Sequence, residues 1–245
     1  MGVRFALAVL FFGLLTTPAW SAGYDHSEDT KLYSLRLRVP EDAMAIAAVK
    51  TVVFARFKKE ADEIKRDAAE GKQDNPDNFR PFLLDANWRV TFESAKVLSL
   101  SADINSDMDG AYPNQEFDTL VWDKSANRDV PIMALFAKGQ EAAALHAIAE
   151  TASKSWEKIF AVRAGEAPSQ EIADMAKDGI APDGVHLKHY ALTYAKGQSN
   201  ANGIVLLYGA GEVWPHAAGD FRLSVPVSVF GKFLSPDWKP VFGAR

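Results

Sequence analysis

The chain contains no cysteine. That excludes disulfides, thiol catalysis, cysteine-ligated zinc and a lipoprotein acylation site. An excess of basic charge is also missing: 27 Lys and Arg stand against 32 Asp and Glu, a net charge of −5 over 245 residues. Binding to a duplex relies on clustered cations that neutralise phosphates, so no nucleic acid is expected as a partner. After residue 22 no apolar run approaches the roughly 20 residues that a membrane span requires, so no permanent membrane anchor is expected. Signatures of catalysis are absent as well. There is no Gly-x-Ser-x-Gly, no His-Glu-x-x-His and no phosphate-loop pattern, and Gly209-Ala210-Gly211 lacks the third spaced glycine of a dinucleotide site. The expectation is a non-enzymatic protein without a cofactor. With 48% apolar and 24% charged residues the chain has an ordinary globular composition, which predicts one sizeable domain or two small halves sharing a core.

What is present begins with an export signal. Arg4 precedes an apolar run from Phe5 to Leu15, followed by Thr16, Thr17, Pro18 and the small-residue site Ala19-Trp20-Ser21-Ala22. This is the layout of a cleaved secretory signal peptide. Cleavage after Ser21 places small residues at both required positions, giving a signal peptide over 1–21 and an exported domain over 22–245. Loss of Arg4 takes the net charge from −5 to −6. The expected location is periplasmic or secreted.

Beyond a polar start that includes His26, which reads as a flexible lead-in, Lys31 to Arg38 alternates as a strand. Ile46, Val49, Val53, Phe57, Ala61 and Ile64 then recur every three or four residues on one face of a long helix. Trp88, Val90 and Phe92, then Leu98, Leu100 and Ala102, then Phe117 to Trp122 predict three consecutive antiparallel strands. A second long helix is marked by Leu145, Ile148, Ala152, Trp156 and Ile159. A short helix capped by Ser169 ends near Gly179, and strands follow over 187–194, 203–208 and 221–227. The pattern predicts an α+β fold with antiparallel sheets packed against two long helices. It comprises two strand-helix-strand halves in series, an N-terminal half over about 31–106 and a C-terminal half over about 107–236. No repeat of 20 to 50 residues is visible, which excludes a solenoid.

Two loops carry the candidate chemistry. Asn105, Asp107 and Asp109, followed by Gly110 and then Glu116, resemble a calcium loop in which alternate oxygens and a distal carboxylate surround the ion. Asn105 stands where Asp is expected, Pro113 interrupts the loop and strands flank it, so the favoured reading is an acidic hairpin loop, with calcium as the second. His186 and His189 fall on the 187–194 strand and its lead-in, where a spacing of three points them to opposite faces, away from any shared metal. The second loop, Glu212-Val213-Trp214-Pro215-His216, joins two apolar strands and combines a carboxylate, an aromatic and an imidazole. Such a loop suits recognition or acid–base work, against a structural reading in which Trp214 packs down and Pro215 fixes the bend.

Ile204 to Tyr208, the loop Gly211 to Gly219, and Phe221 to Pro226 with Val227 resemble the closing motif of the RsiV-type family. That motif is a strand, Tyr-Glu-Val-x-Pro-Tyr-Ala-Ala-Gly, and a strand ending in Ile-Pro. Gly110-Ala111-Tyr112-Pro113-Asn114 resembles the family's Gly-Ala-His-Pro-Asn loop, and Asp129 to Phe136 its leucine-rich approach to the long helix. The half from Tyr33 to Asp103 looks like the companion half of PdaC-type deacetylases. The family includes the ectodomain of a lysozyme-sensing anti-sigma factor and a non-catalytic region preceding a peptidoglycan deacetylase. The resemblance therefore implies an exported cell-envelope binding module, with a muramidase or peptidoglycan as partner and Tyr112, Asn114, Glu212, Trp214 and His216 as the binding residues. His and Tyr are exchanged between the two loops relative to the family, which leads us to expect that the rings of Tyr112 and His216 touch. The alternatives are a calcium-stabilised envelope protein using Asn105, Asp107, Asp109 and Glu116, and a hydrolase using Glu212 and His216.

Overall fold

A computed structural model describes residues 23–110, 113–195, 197–216 and 219–244. The expected signal peptide and Tyr112 lie outside these described residues. The fold is α+β: among the described residues the strands form one six-stranded and one three-stranded sheet.

The large sheet starts with β1 (Tyr24–Asp29) and β2 (Tyr33–Val39), paired antiparallel from Tyr24 opposite Val39 to Asp29 opposite Ser34. The polar lead-in is thus a strand and not a flexible start, and His26 lies within it. An edge strand held by its backbone ladder needs no apolar alternation. Here Glu28 adds side-chain ties, accepting hydrogen bonds from the Tyr33 hydroxyl at 2.7 Å and from Lys65 Nζ at 2.9 Å. After a single-turn helix α1 (Glu41–Met44), the long helix α2 (Ala47–Asp74) lays Val49, Val53, Ala61, Ile64 and Ala68 against the sheet. Because α2 carries the chain back across the sheet, β3 (Phe82–Glu93) runs parallel to β2. β4 (Val97–Asp107), β5 (Asn114–Asp123) and the short β6 (Arg128–Asp129) complete an antiparallel meander.

The long strands β3, β4 and β5 divide their side chains between two cores. Trp88, Leu98, Leu100, Ala102, Ile104, Leu120 and Trp122 join the core beneath α2, whereas Val97 and Val121 face the opposite core. Phe92 departs from the expected period. A bulge between Val90 and Phe92 inserts one residue, and Phe92 consequently packs with the second core instead of with Trp88.

That second core is completed by the rest of the chain. The helix α3 (Glu141–Ala164) buries Leu145, Ile148, Ala152, Trp156 and Phe160, and stops at Gly165, whose φ of 78° is the left-handed cap glycine adopts readily. α4 (Gln170–Gly179) begins at Ser169, whose hydroxyl accepts from the Ile172 amide. β7 (Tyr190–Thr193), β8 (Gly203–Tyr208) and β9 (Phe221–Pro226) form the small antiparallel sheet. It is tied to the large sheet by named bonds: the buried Ser99 hydroxyl on β4 accepts from the Leu192 amide at 2.9 Å, and Asp103 on β4 accepts from Arg222 on β9 at 2.6 Å. Among the described residues no helix is long and apolar enough to cross a membrane.

Candidate functional site

The loop after β8 docks on the first residues of β5. Gly209 makes this possible, since a Cβ there would stand 2.7 Å from the Gln115 carbonyl oxygen and 3.2 Å from the Glu116 Cα. The Ala210 amide donates to that same carbonyl at 2.9 Å. The neighbouring Gly211 has φ 93°, and Glu212 turns its carboxylate back to accept the Gly209 amide. Val213 is buried, and Trp214 packs inward against Phe160, with ring centroids 3.9 Å apart, and against Trp156 at 5.7 Å. His216 is exposed, and its Nε2 lies 3.4 Å from Asn114 Oδ1. Asn114 in turn donates through Nδ2 to the Glu116 carboxylate.

The structure thus brings Asn114 and the Glu212–His216 loop together from opposite ends of the C-terminal half. It gives Trp214 the packing position of the structural reading, and Glu212 the work of bracing its own loop. The expected contact of Tyr112 with His216 falls outside the described residues; Asn114, two residues further on, is a described group of that loop whose Oδ1 lies 3.4 Å from the imidazole.

The four calcium candidates do not converge. Glu116 lies opposite Ile104 in the β4–β5 ladder and shares its face, the side on which α2 packs. Asn105 and Asp107 are of the other parity and face away from it. Asp109 pairs with Arg80, and its amide donates to Asp107 Oδ1 at 3.1 Å, closing a tight turn. Among the described residues no group of three or more His, Cys, Asp or Glu is placed to hold a metal ion.

His186 and His189 are not on a strand. Both precede β7, in a turn organised by Asp183, whose Oδ1 accepts the amides of Val185 and His186 at 2.8 and 2.9 Å while His186 Nδ1 lies 2.8 Å from Oδ2. The apolar pattern of 187–194 extends the strand too far because Leu187 is buried without belonging to the ladder.

This turn forms one wall of a cleft of about 370 Å³ that the sequence reading missed. From α2, Arg56 donates to Asp118 Oδ1 at 2.7 Å, to the Thr119 carbonyl at 2.9 Å and to Asp129 Oδ2 at 3.0 Å. Burial pushes both carboxyls above their ordinary range despite the opposing guanidinium. Burial, with help from Lys188 and Arg56, holds His189 down to about 4, so its ring is neutral at pH 7. Glu60, one turn along α2, is pushed up to about 7 by burial and then by Asp118 and Glu116. One signal could have pointed here: Asp118 shares the parity of Leu120 and Trp122, so a carboxylate stands where the strand pattern calls for a core residue.

No family model matches the sequence. No curated protein matches it either. Solved structures do resemble the fold. A member of the DUF3298 family from Bacteroides fragilis matches with a TM-score of 0.58 at 14% identity, over 91% of this chain and 95% of that one. A DUF3298 family protein from Pseudomonas aeruginosa PAO1 matches with a TM-score of 0.55 at 15% identity, over 89% of this chain and 94% of that one. Nearly the whole of this chain therefore has the fold of solved proteins described as DUF3298 family members.

Proposed function

We propose that this protein is an exported, non-enzymatic binding module of the cell envelope, whose contact surface is the pair of adjoining loops carrying Asn114 and Glu212 to His216. The observation that carries this reading is the docking of the β8–β9 loop on the start of β5. Gly209 allows the close approach, Glu212 braces the turn, and Trp214 and Val213 anchor it, so Asn114 and His216 are presented from a loop already held in place. A surface ordered before binding loses less conformational entropy when a partner arrives. Export rests on the sequence of residues 1–21. The partner is a basic muramidase or peptidoglycan. An acidic chain of net charge −6 after signal removal attracts a basic protein, raising the association rate in a salt-dependent way.

The test is binding of the mature chain, residues 22 to 245, to immobilised basic muramidases and to isolated peptidoglycan at low and at physiological salt. Saturable binding is expected, weakened at least about tenfold by His216→Ala or Asn114→Ala, which corresponds to about 1.4 kcal/mol. Binding to neither target, or binding indifferent to both substitutions, would overturn the proposal.

A further inference from the structure

The cleft around Arg56 is lined by none of the proposed loop contact residues and has a chemistry of its own. Its charged lining balances: Arg56 and Lys188 face Asp118 and Asp129, and His189 adds a neutral ring. This balance disfavours simple ionic ligands. An anion would find the guanidinium already bonded to two carboxylates and a carbonyl, and would meet those carboxylates directly. A cation would have to displace Arg56 from the same two partners. The cleft nonetheless retains unused hydrogen-bonding capacity. Asp118 Oδ2 takes no hydrogen bond from a described residue, neither ring nitrogen of His189 has one, and Lys188 Nζ forms no ion pair among the described residues. Acceptors and donors therefore stand side by side around a wall made apolar by Val121, Pro131 and Ile132.

We propose that this cleft is a binding site for an uncharged, hydroxyl-rich ligand, a saccharide of one or two rings. A sugar hydroxyl can donate to Asp118 Oδ2 and accept from Lys188 or from the imidazole of His189, and the C–H face of a ring can rest on the apolar wall. Asp118 and His189 are partly desolvated before binding, which strengthens the bonds they make to the ligand. The volume falls in the lower part of the roughly 300–1,000 Å³ range of small-molecule sites, which suits a small ligand held on several sides. This assignment does not rest on the loop surface: neither Asn114 nor any residue from Glu212 to His216 lines the cleft.

The experiment is calorimetric titration of the mature chain with cellobiose, maltose and N,N′-diacetylchitobiose, alongside glucose 1-phosphate and glucosamine as charged counterparts. At least one neutral disaccharide is expected to bind saturably, with the charged sugars about tenfold weaker or worse. His189→Gln and Asp118→Asn are each expected to weaken binding about tenfold. Since Asp118→Asn removes the charge that pairs with Arg56 and can perturb folding, the exposed Lys188→Ala serves as a second variant, with circular dichroism confirming the fold of each. Asn114→Ala and His216→Ala are expected to leave sugar binding unchanged, so a failed cleft and a failed loop surface give different results. Affinity that rises from mono- to tetrasaccharide would assign the cleft to a glycan chain and affinity that stays flat to a free sugar, and either supports the site. No saturable binding of any neutral sugar, a preference for a charged one, or binding indifferent to His189→Gln and Lys188→Ala would overturn it.

Discussion

At the scale of single residues, two titratable groups near the cleft act on stability in opposite directions. Glu60 holds its proton up to about pH 7, whereas an unfolded Glu releases it near 4.5. Its contribution is therefore fully present below about pH 4.5 and is lost as pH rises toward 7. His189 is the reverse. Held down to about 4 against an ordinary 6.5, it favours the folded state above pH 6.5 and loses that contribution as pH falls toward 4. Between these limits the two slopes offset each other in the native chain, and single variants separate them. Glu60→Gln is expected to stabilise the protein at pH 8 by about 1 kcal/mol, after allowance for its partial exposure, and to change little at pH 4. His189→Gln is expected to gain stability relative to the native chain at pH 4.5 and none at pH 8. Denaturant melts across this range check both. Little of this was legible beforehand, because a pKa depends on what the fold packs around a group. Only Asp118, placed at a core-facing parity, betrayed a polar site in the sequence.

At the scale of elements, periodicity located both long helices, the three strands of the meander and the capped short helix. Its errors each have a local cause. The β3 bulge sends Phe92 to the second core although Trp88, Val90 and Phe92 read as one face. β1 escaped notice because an edge strand of Tyr24, Asp25, His26, Ser27, Glu28 and Asp29 is held by its ladder and by Glu28, not by an apolar stripe. His186 and His189 were drawn into a strand by the apolar run that follows them. The contact between β4 and β7 was equally invisible, since it includes a buried hydroxyl: Ser99 Oγ accepts the Leu192 amide at 2.9 Å and the Thr91 hydroxyl at 2.8 Å. Ser99→Ala leaves that amide without a partner, and the expected loss is about 1–3 kcal/mol. It should appear as a lower denaturant midpoint at unchanged slope; a loss under about 0.5 kcal/mol would mean that the two sheets are not held together at this point.

At the scale of the whole molecule, the large sheet serves both cores at once. β4 contributes Leu98, Leu100 and Ala102 to one and Val97 to the other, and β5 divides in the same way between Leu120 with Trp122 and Val121. The expected boundary between halves, at about 106 and 107, therefore falls at the end of β4, which is paired with β5 over ten positions. Neither half should fold alone. Fragments 22–106 and 107–245 are each expected to lack a cooperative thermal transition, while a mixture of the two regains one; circular dichroism of the separate and combined fragments decides this, and a cooperative melt of either piece alone would refute it.

By itself the sequence determined the α+β class, the order of the main elements, the loops to watch and the acidic charge, because these follow from local periodicity, turn chemistry and composition. The tertiary structure alone decided which loop residues meet, that the calcium candidates point to opposite faces, and that Arg56, Asp118, Asp129 and His189 close around one cleft. Those residues are separated by up to 133 positions along the chain, from Arg56 to His189. Their proximity is set by strand register and by the crossing of α2 over the sheet, and neither is encoded in any one segment.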